Sequence, residues 1–244
     1  MRPPAVQRAA RHQGAAPATR AAPQWPARCI SCPKSASPAS HPDMVYIFRD
    51  DGTPLVGPTM DYHSRIAIAS YLLGLGAAET AALYHRLVFR RLGYLDRFAT
   101  ECTLLLEHWA HFSLDAAPLL RAWRESGCFM YSVNHPKARP LLDLARVACT
   151  RMAIEPEAPH ITAADVPDTL EVFPTHPVFP DIAAAAGVAP EAIFRTARNG
   201  EGEFKALTPE EFARWSFEVF ATVPRAVLLR VEGVREALVT LAPR

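Results

Sequence analysis

Cys128-Phe129-Met130-Tyr131-Ser132-Val133-Asn134-His135-Pro136 passes from an apolar run into a polar turn. The apolar part, rich in aromatic and β-branched residues, reads as a short buried strand over 128–133. Pro136 suits the first turn of a following helix, where its missing N–H would have no partner. In an α/β layer, ligands settle outside the carboxyl ends of strands, beside helix N-termini. Asn134 and His135 are expected there.

Outward from this stretch the pattern is mostly helical. Met44 to Phe48 reads as a second short strand, closed by the turn Arg49-Asp50-Asp51-Gly52. Asp61 is a candidate N-cap for a helix running to about Leu75. Further helices are expected at about 77–91, 92–112, 117–125, 181–186, 209–220 and 232–241, and another after Pro136. Glu203–Leu207 and Ala226–Val231 read as short strands. The expected fold class is α/β and helix-rich, a small mainly parallel sheet packed by several helices.

The formal net charge of the 244 residues is +1, which argues against nucleic-acid binding through bulk charge. Residues 1–43 hold six basic residues against Asp43 alone, with eight prolines and no helical or strand period. They read as a disordered or non-native N-terminal segment, and 44–244 as the folded domain. The odd set Cys29, Cys32, Cys102, Cys128 and Cys149 resembles reduced, cytoplasmic usage rather than a disulfide framework. No apolar run is long enough to span a membrane.

Two polar clusters carry the chemistry. His135 could act as a general base, and Asn134 could donate to an oxyanion; the alternative is an Asx turn with a capping histidine. Tyr62, His63 and Ser64, with Arg65 behind them, are expected in the first turn of the helix opened by Asp61, where backbone N–H groups attract anions. The alternative there is a cap without a ligand. His108 and His111 share a helix face but lack a third ligand, so no metal is expected. His176, in a second His-Pro pair, reads as a turn.

Met60-Asp61-Tyr62-His63-Ser64, Tyr71-Leu72-Leu73-Gly74-Leu75, Phe129 to Pro136 and Pro177-Val178-Phe179-Pro180-Asp181-Ile182 together resemble the WcbI family of polysaccharide biosynthesis acetyltransferases. The resemblance covers about Met44 to Phe220. It implies an acetyl-CoA-dependent O-acetyltransferase of capsule or exopolysaccharide biosynthesis. His135 and His63 would be catalytic, and Asn134, Tyr62, Ser64 and Arg65 would bind coenzyme A. Its partners would be the acyl donor and a sugar or polysaccharide precursor. Members open with a strand and a glycine-asparagine-cysteine-glutamine turn whose cysteine is the nucleophile, and neither Cys29 nor Cys32 matches it. The domain 44–244 is therefore expected to lack its first strand. The competing readings are an inactive coenzyme A- or sugar-binding remnant and an esterase-like hydrolase.

Overall fold

Ser64 ends a strand and begins a helix, and the chain is organised around that junction. The computed structural model describes residues 40–111, 114–155 and 160–242; residues 1–39, most of the compositionally distinct segment, lie outside them. Strand β1 (Met44–Tyr46) pairs antiparallel with β2 (Tyr62–Ser64), Tyr46 opposite Tyr62 and Met44 opposite Ser64. Helix α1 (Arg65–Leu73) follows directly. Ser64 Oγ accepts from the Ala67 N–H at 3.0 Å, and Asp43 Oδ1 accepts from that of Ile66 at 3.0 Å. Two N–H groups without helical partners are thus satisfied. The cap is Ser64, not Asp61, because pairing with β1 holds 62–64 extended. Gly74 ends α1 in the left-handed region, at φ 75°.

The helices that follow are α2 (Ala77–Ala81), α3 (Arg86–Arg91), α4 (Tyr94–Ala110), α5 (Ala117–Glu125) and α6 (Ala138–Arg151). The helix expected over 77–91 is broken between α2 and α3. There Tyr84 hydrogen-bonds Ser64 Oγ at 2.7 Å, and His85 caps α3 by accepting from Leu87 N. Helix α7 (Pro180–Ala186), the antiparallel pair β3 (Phe194–Arg195) and β4 (Ala206–Leu207), and α8 (Pro209–Phe220), α9 (Arg225–Leu229) and α10 (Val234–Leu241) complete the order. Residues 225–229 are helical rather than extended. In the core, α1 packs on α10 and α8, and α4 on α7. Phe194 stacks on Phe212 at 3.8 Å, and Trp109 meets Trp123 edge-on at 6.1 Å.

The described residues correct the expected fold class. They form a helix-rich chain with two small two-stranded antiparallel sheets, and no parallel sheet. Residues 128–133 are not a strand. The chain turns back on itself, with Tyr131 N–H donating to His135 O at 2.8 Å and Lys137 N–H to Phe129 O at 2.9 Å. Helices cover the apolar run Cys128-Phe129-Met130, Trp123 lying 5.6 Å from Phe129. An apolar run is buried equally well by helices or by neighbouring strands, so periodicity did not separate the two.

Ser40, His41 and Asp43 are buried. Asp43 also accepts from Tyr94 Oη at 3.0 Å, so the folded body includes residues just ahead of Met44.

Candidate active site

Alternation along β2 sends neighbouring side chains to opposite faces. Tyr62 turns toward the 128–137 loop, where its hydroxyl donates to Asn134 Oδ1 at 2.5 Å. His135 Nδ1 lies 3.4 Å from the same phenol oxygen, a long contact. Ser132 Oγ stands 3.2 Å from Asn134 Oδ1 and 3.3 Å from Tyr62 Oη. The His135 ring meets Tyr62 edge-on and stacks on Phe173 at 4.4 Å. Half-burial without a close carboxylate holds the imidazole below its usual pKa, Asp61 opposing this only in part. Burial thus favours the neutral form of His135.

His63 turns the other way. Its Nε2–H donates to the Leu55 carbonyl at 2.8 Å, and its ring packs on Phe220. It is fully buried, and desolvation lowers its pKa to about 4. The two histidines expected to be catalytic are thus separated, one beside the polar loop and one in the core. Ser64 is committed to its cap and to Tyr84. Arg65 donates to the carbonyls of Glu232 and Pro42 and to Tyr94 Oη. Tyr62, Asn134 and His135 come together; His63 and Ser64 do not join them.

A cavity of about 940 Å³ opens beside this cluster. Val133, Asn134, Tyr46 and Phe48 line it, the Tyr46 hydroxyl reaching Asn134, together with the buried Trp109 and Trp123. Arg49, Arg65, Arg97 and Arg230 also line it. Arg97 pairs with Glu101 at 2.9 Å, and Arg230 with Asp50. The volume falls in the range usual for small-molecule sites.

Residues outside the expected site also pack around it. Ser132 lies inside the opening stretch, two residues from Asn134, and its hydroxyl was the available signal. His176 is buried and bonds Thr59 Oγ1 at 2.9 Å, and Thr59 donates to Tyr62 O at 2.8 Å. Thr59 has one proton, so His176 Nε2 carries the hydrogen toward it. His41, in a third His-Pro pair, is fully buried, and neither ring nitrogen has a partner in hydrogen-bond geometry. Backbone of Met130 and Pro177 lies near enough to favour its charged form slightly, but desolvation dominates and lowers its pKa to about 4. His41 and His63 also oppose protonation of His176, whose pKa burial lowers furthest.

The described cysteines are free. Cys128 is buried, its thiol donates to Met130 O at 3.1 Å, and desolvation raises its pKa. Burial pushes Cys102 up to about 11. Neither has the lowered pKa of an activated thiol. Among the described residues no group of three or more His, Cys, Asp or Glu could hold a metal, and no helix is long and apolar enough to cross a membrane.

The family description of the polysaccharide biosynthesis enzyme WcbI matches residues 8–157. The chain belongs to the WcbI family. The match includes Tyr62, Ser132, Asn134 and His135. It begins within the segment set apart by composition and stops short of Phe220. No curated protein and no solved structure matches the chain. Membership in WcbI makes this a polysaccharide biosynthesis enzyme, so a sugar is expected in its substrate.

Proposed function

We propose that the protein is an O-acetyltransferase that moves an acetyl group from acetyl-coenzyme A to a hydroxyl of a capsule or exopolysaccharide precursor. One observation supports this above others. The Tyr62 hydroxyl gathers a histidine and a side-chain amide, His135 and Asn134, and Asn134, with Val133 and Pro136 on either side of the pair, lines a cavity of suitable size.

In this reading His135 takes the proton from the sugar hydroxyl as that oxygen attacks the thioester carbonyl. Asn134 donates from Nδ2 to the carbonyl oxygen as it gains charge. His135 then returns the proton to the departing thiolate sulfur, which leaves as the coenzyme A thiol. Among the described residues Cys128 and Cys102 have raised thiol pKa values that do not suit a nucleophile, and the step is written as direct transfer to the sugar. The arginines lining the cavity, Arg49 and Arg230 foremost, fit the phosphates of the donor. Tyr46 and Phe48, stacked 6.1 Å apart, offer faces for its adenine or for a sugar ring.

Calorimetric titration with coenzyme A, followed by acetyl release with and without sugar acceptors, tests the proposal. Saturable binding and acceptor-dependent release are expected. Absence of binding would overturn it. Binding without turnover in wild type would favour an inactive relative. Acetyl release independent of any acceptor but lost in His135→Ala would favour a hydrolase.

A further inference from the structure

We infer that Tyr62 is a positioning residue that sets two choices at once, the tautomer of His135 and the orientation of the Asn134 amide, with Ser132 as its support. This rests on the reading of His135 and Asn134 as the working pair.

Tyr62 has one hydroxyl proton, and its shortest contact, 2.5 Å, is to Asn134 Oδ1. An O···O distance that short belongs to an O–H···O bond with the proton between the two atoms. Ser132 Oγ also approaches Oδ1 at 3.2 Å. Two hydroxyls converging on one end of the amide make that end the acceptor. The Nδ2 donors of Asn134 are therefore turned toward the Tyr46 hydroxyl, which the amide also hydrogen-bonds, and the cavity that both residues line. Rotating the amide by half a turn would discard the short O–H···O bond.

The second choice follows from the first. With its proton committed to Asn134, the Tyr62 oxygen can only accept, and the hydroxyls of Ser132 and Tyr46 also reach it. The imidazole nitrogen that faces it is His135 Nδ1, at 3.4 Å. Nδ1 then carries the hydrogen, and Nε2 keeps the lone pair. This matters because a neutral imidazole in water prefers the opposite tautomer, with the proton on Nε2. Contacts that hold a catalytic base are often long before substrate binds and tighten afterwards. The chain His135 Nδ1–H to Tyr62 Oη–H to Asn134 Oδ1 runs in one direction, so each bond polarises the next. Ser132 is fully buried and reaches both Tyr62 Oη and Asn134 Oδ1, so it fixes the distance between them.

The test uses the full chain labelled with ¹⁵N-histidine and long-range ¹H–¹⁵N NMR in buffer above the imidazole titration range. His135 signals are assigned by their loss in His135→Gln. Wild type is expected to show His135 protonated on Nδ1. Tyr62→Phe, its fold checked by a thermal melt, is expected to return His135 to the Nε2–H form. In the acetyl-transfer assay Tyr62→Phe should lower kcat about 10- to 100-fold with little change in KM for acetyl-CoA. Ser132→Ala should lower kcat less, and Ser132→Thr should restore it. An Nε2–H tautomer in wild type, or a tautomer unchanged by Tyr62→Phe, overturns the inference whatever the activity. Should Tyr62→Phe fail to fold, the wild-type tautomer decides alone. A tautomer that switches as expected in a protein that transfers no acetyl group leaves the positioning role standing and overturns the transferase reading instead.

Discussion

The Tyr62 phenol and the Asn134 amide, 72 residues apart in the chain, meet at 2.5 Å. The contact ties the β1–β2 hairpin to the loop that carries His135, so the geometry of the polar cluster depends on both segments.

Removing the working groups should slow turnover without unfolding the protein. His135→Ala is expected to lower kcat for acetyl transfer by about 10² to 10⁴. Asn134→Ala is expected to cost about 10² to 10³, the usual loss for one oxyanion donor. Both side chains are at least partly exposed, so thermal midpoints should stay near wild type. Steady-state kinetics beside a melting curve checks both points.

The pH dependence of kcat/KM should follow His135. The base works only when neutral, so the rate falls with acid and reaches a plateau with rising pH. Burial places the midpoint below the 6.5 of an unperturbed imidazole. A midpoint above that value in a pH–rate profile would count against His135 as the base.

His63 should behave in the opposite way. His63→Ala removes the donor to the buried Leu55 carbonyl and opens a space beside Phe220. A loss of about 1–3 kcal/mol from the hydrogen bond alone is expected in urea unfolding. Folded variant should bind coenzyme A with unchanged affinity.

Acid should destabilise the fold through His41, His63 and His176. Each is buried neutral with a folded-state pKa below its unfolded value, to about 4 for the first two. Below about pH 6.5 the unfolded chain binds protons that the folded chain refuses, so stability drops. The loss from His41 and His63 continues until about pH 4, and that from His176, which burial lowers further, continues beyond it. Thermal midpoints recorded from neutral pH downward should fall through this window, less steeply in His41→Gln.

Cys128 should resist thiol reagents in the native state and react on unfolding, since it is buried with its pKa raised. Mass spectrometry after native and denatured alkylation reads this directly. Rapid native labelling of Cys128 would contradict the burial described for the 128–130 run.

Much was legible before any coordinates. Helix α5 begins and ends where spacing placed it, and so does α8, whose Thr208-Pro209 start and Glu211 form a complete capping box. The tyrosine, asparagine and histidine that cluster were all among the residues singled out. The 128–133 strand failed because aromatic and β-branched residues mark burial, and burial by helices leaves the same pattern. Residues 225–229 failed for the same reason. The family resemblance puts His63 in one site with His135, and nothing in the local sequence opposes it. Only the two-residue alternation of β2, which needs β1 as its partner, reveals that Tyr62 and His63 face apart.

By itself, the sequence determined the helix-rich character, the family and the two polar clusters, because these depend on local spacing, capping and residue chemistry. Tertiary structure alone decided which members of the clusters share a site. It set the antiparallel pairing of the strands among the described residues, the hydroxyl of Tyr62 against Asn134, and the burial of His41, His63 and His176. Those outcomes depend on contacts between residues far apart in the chain, where strand pairing and packing choose which face of each element looks inward.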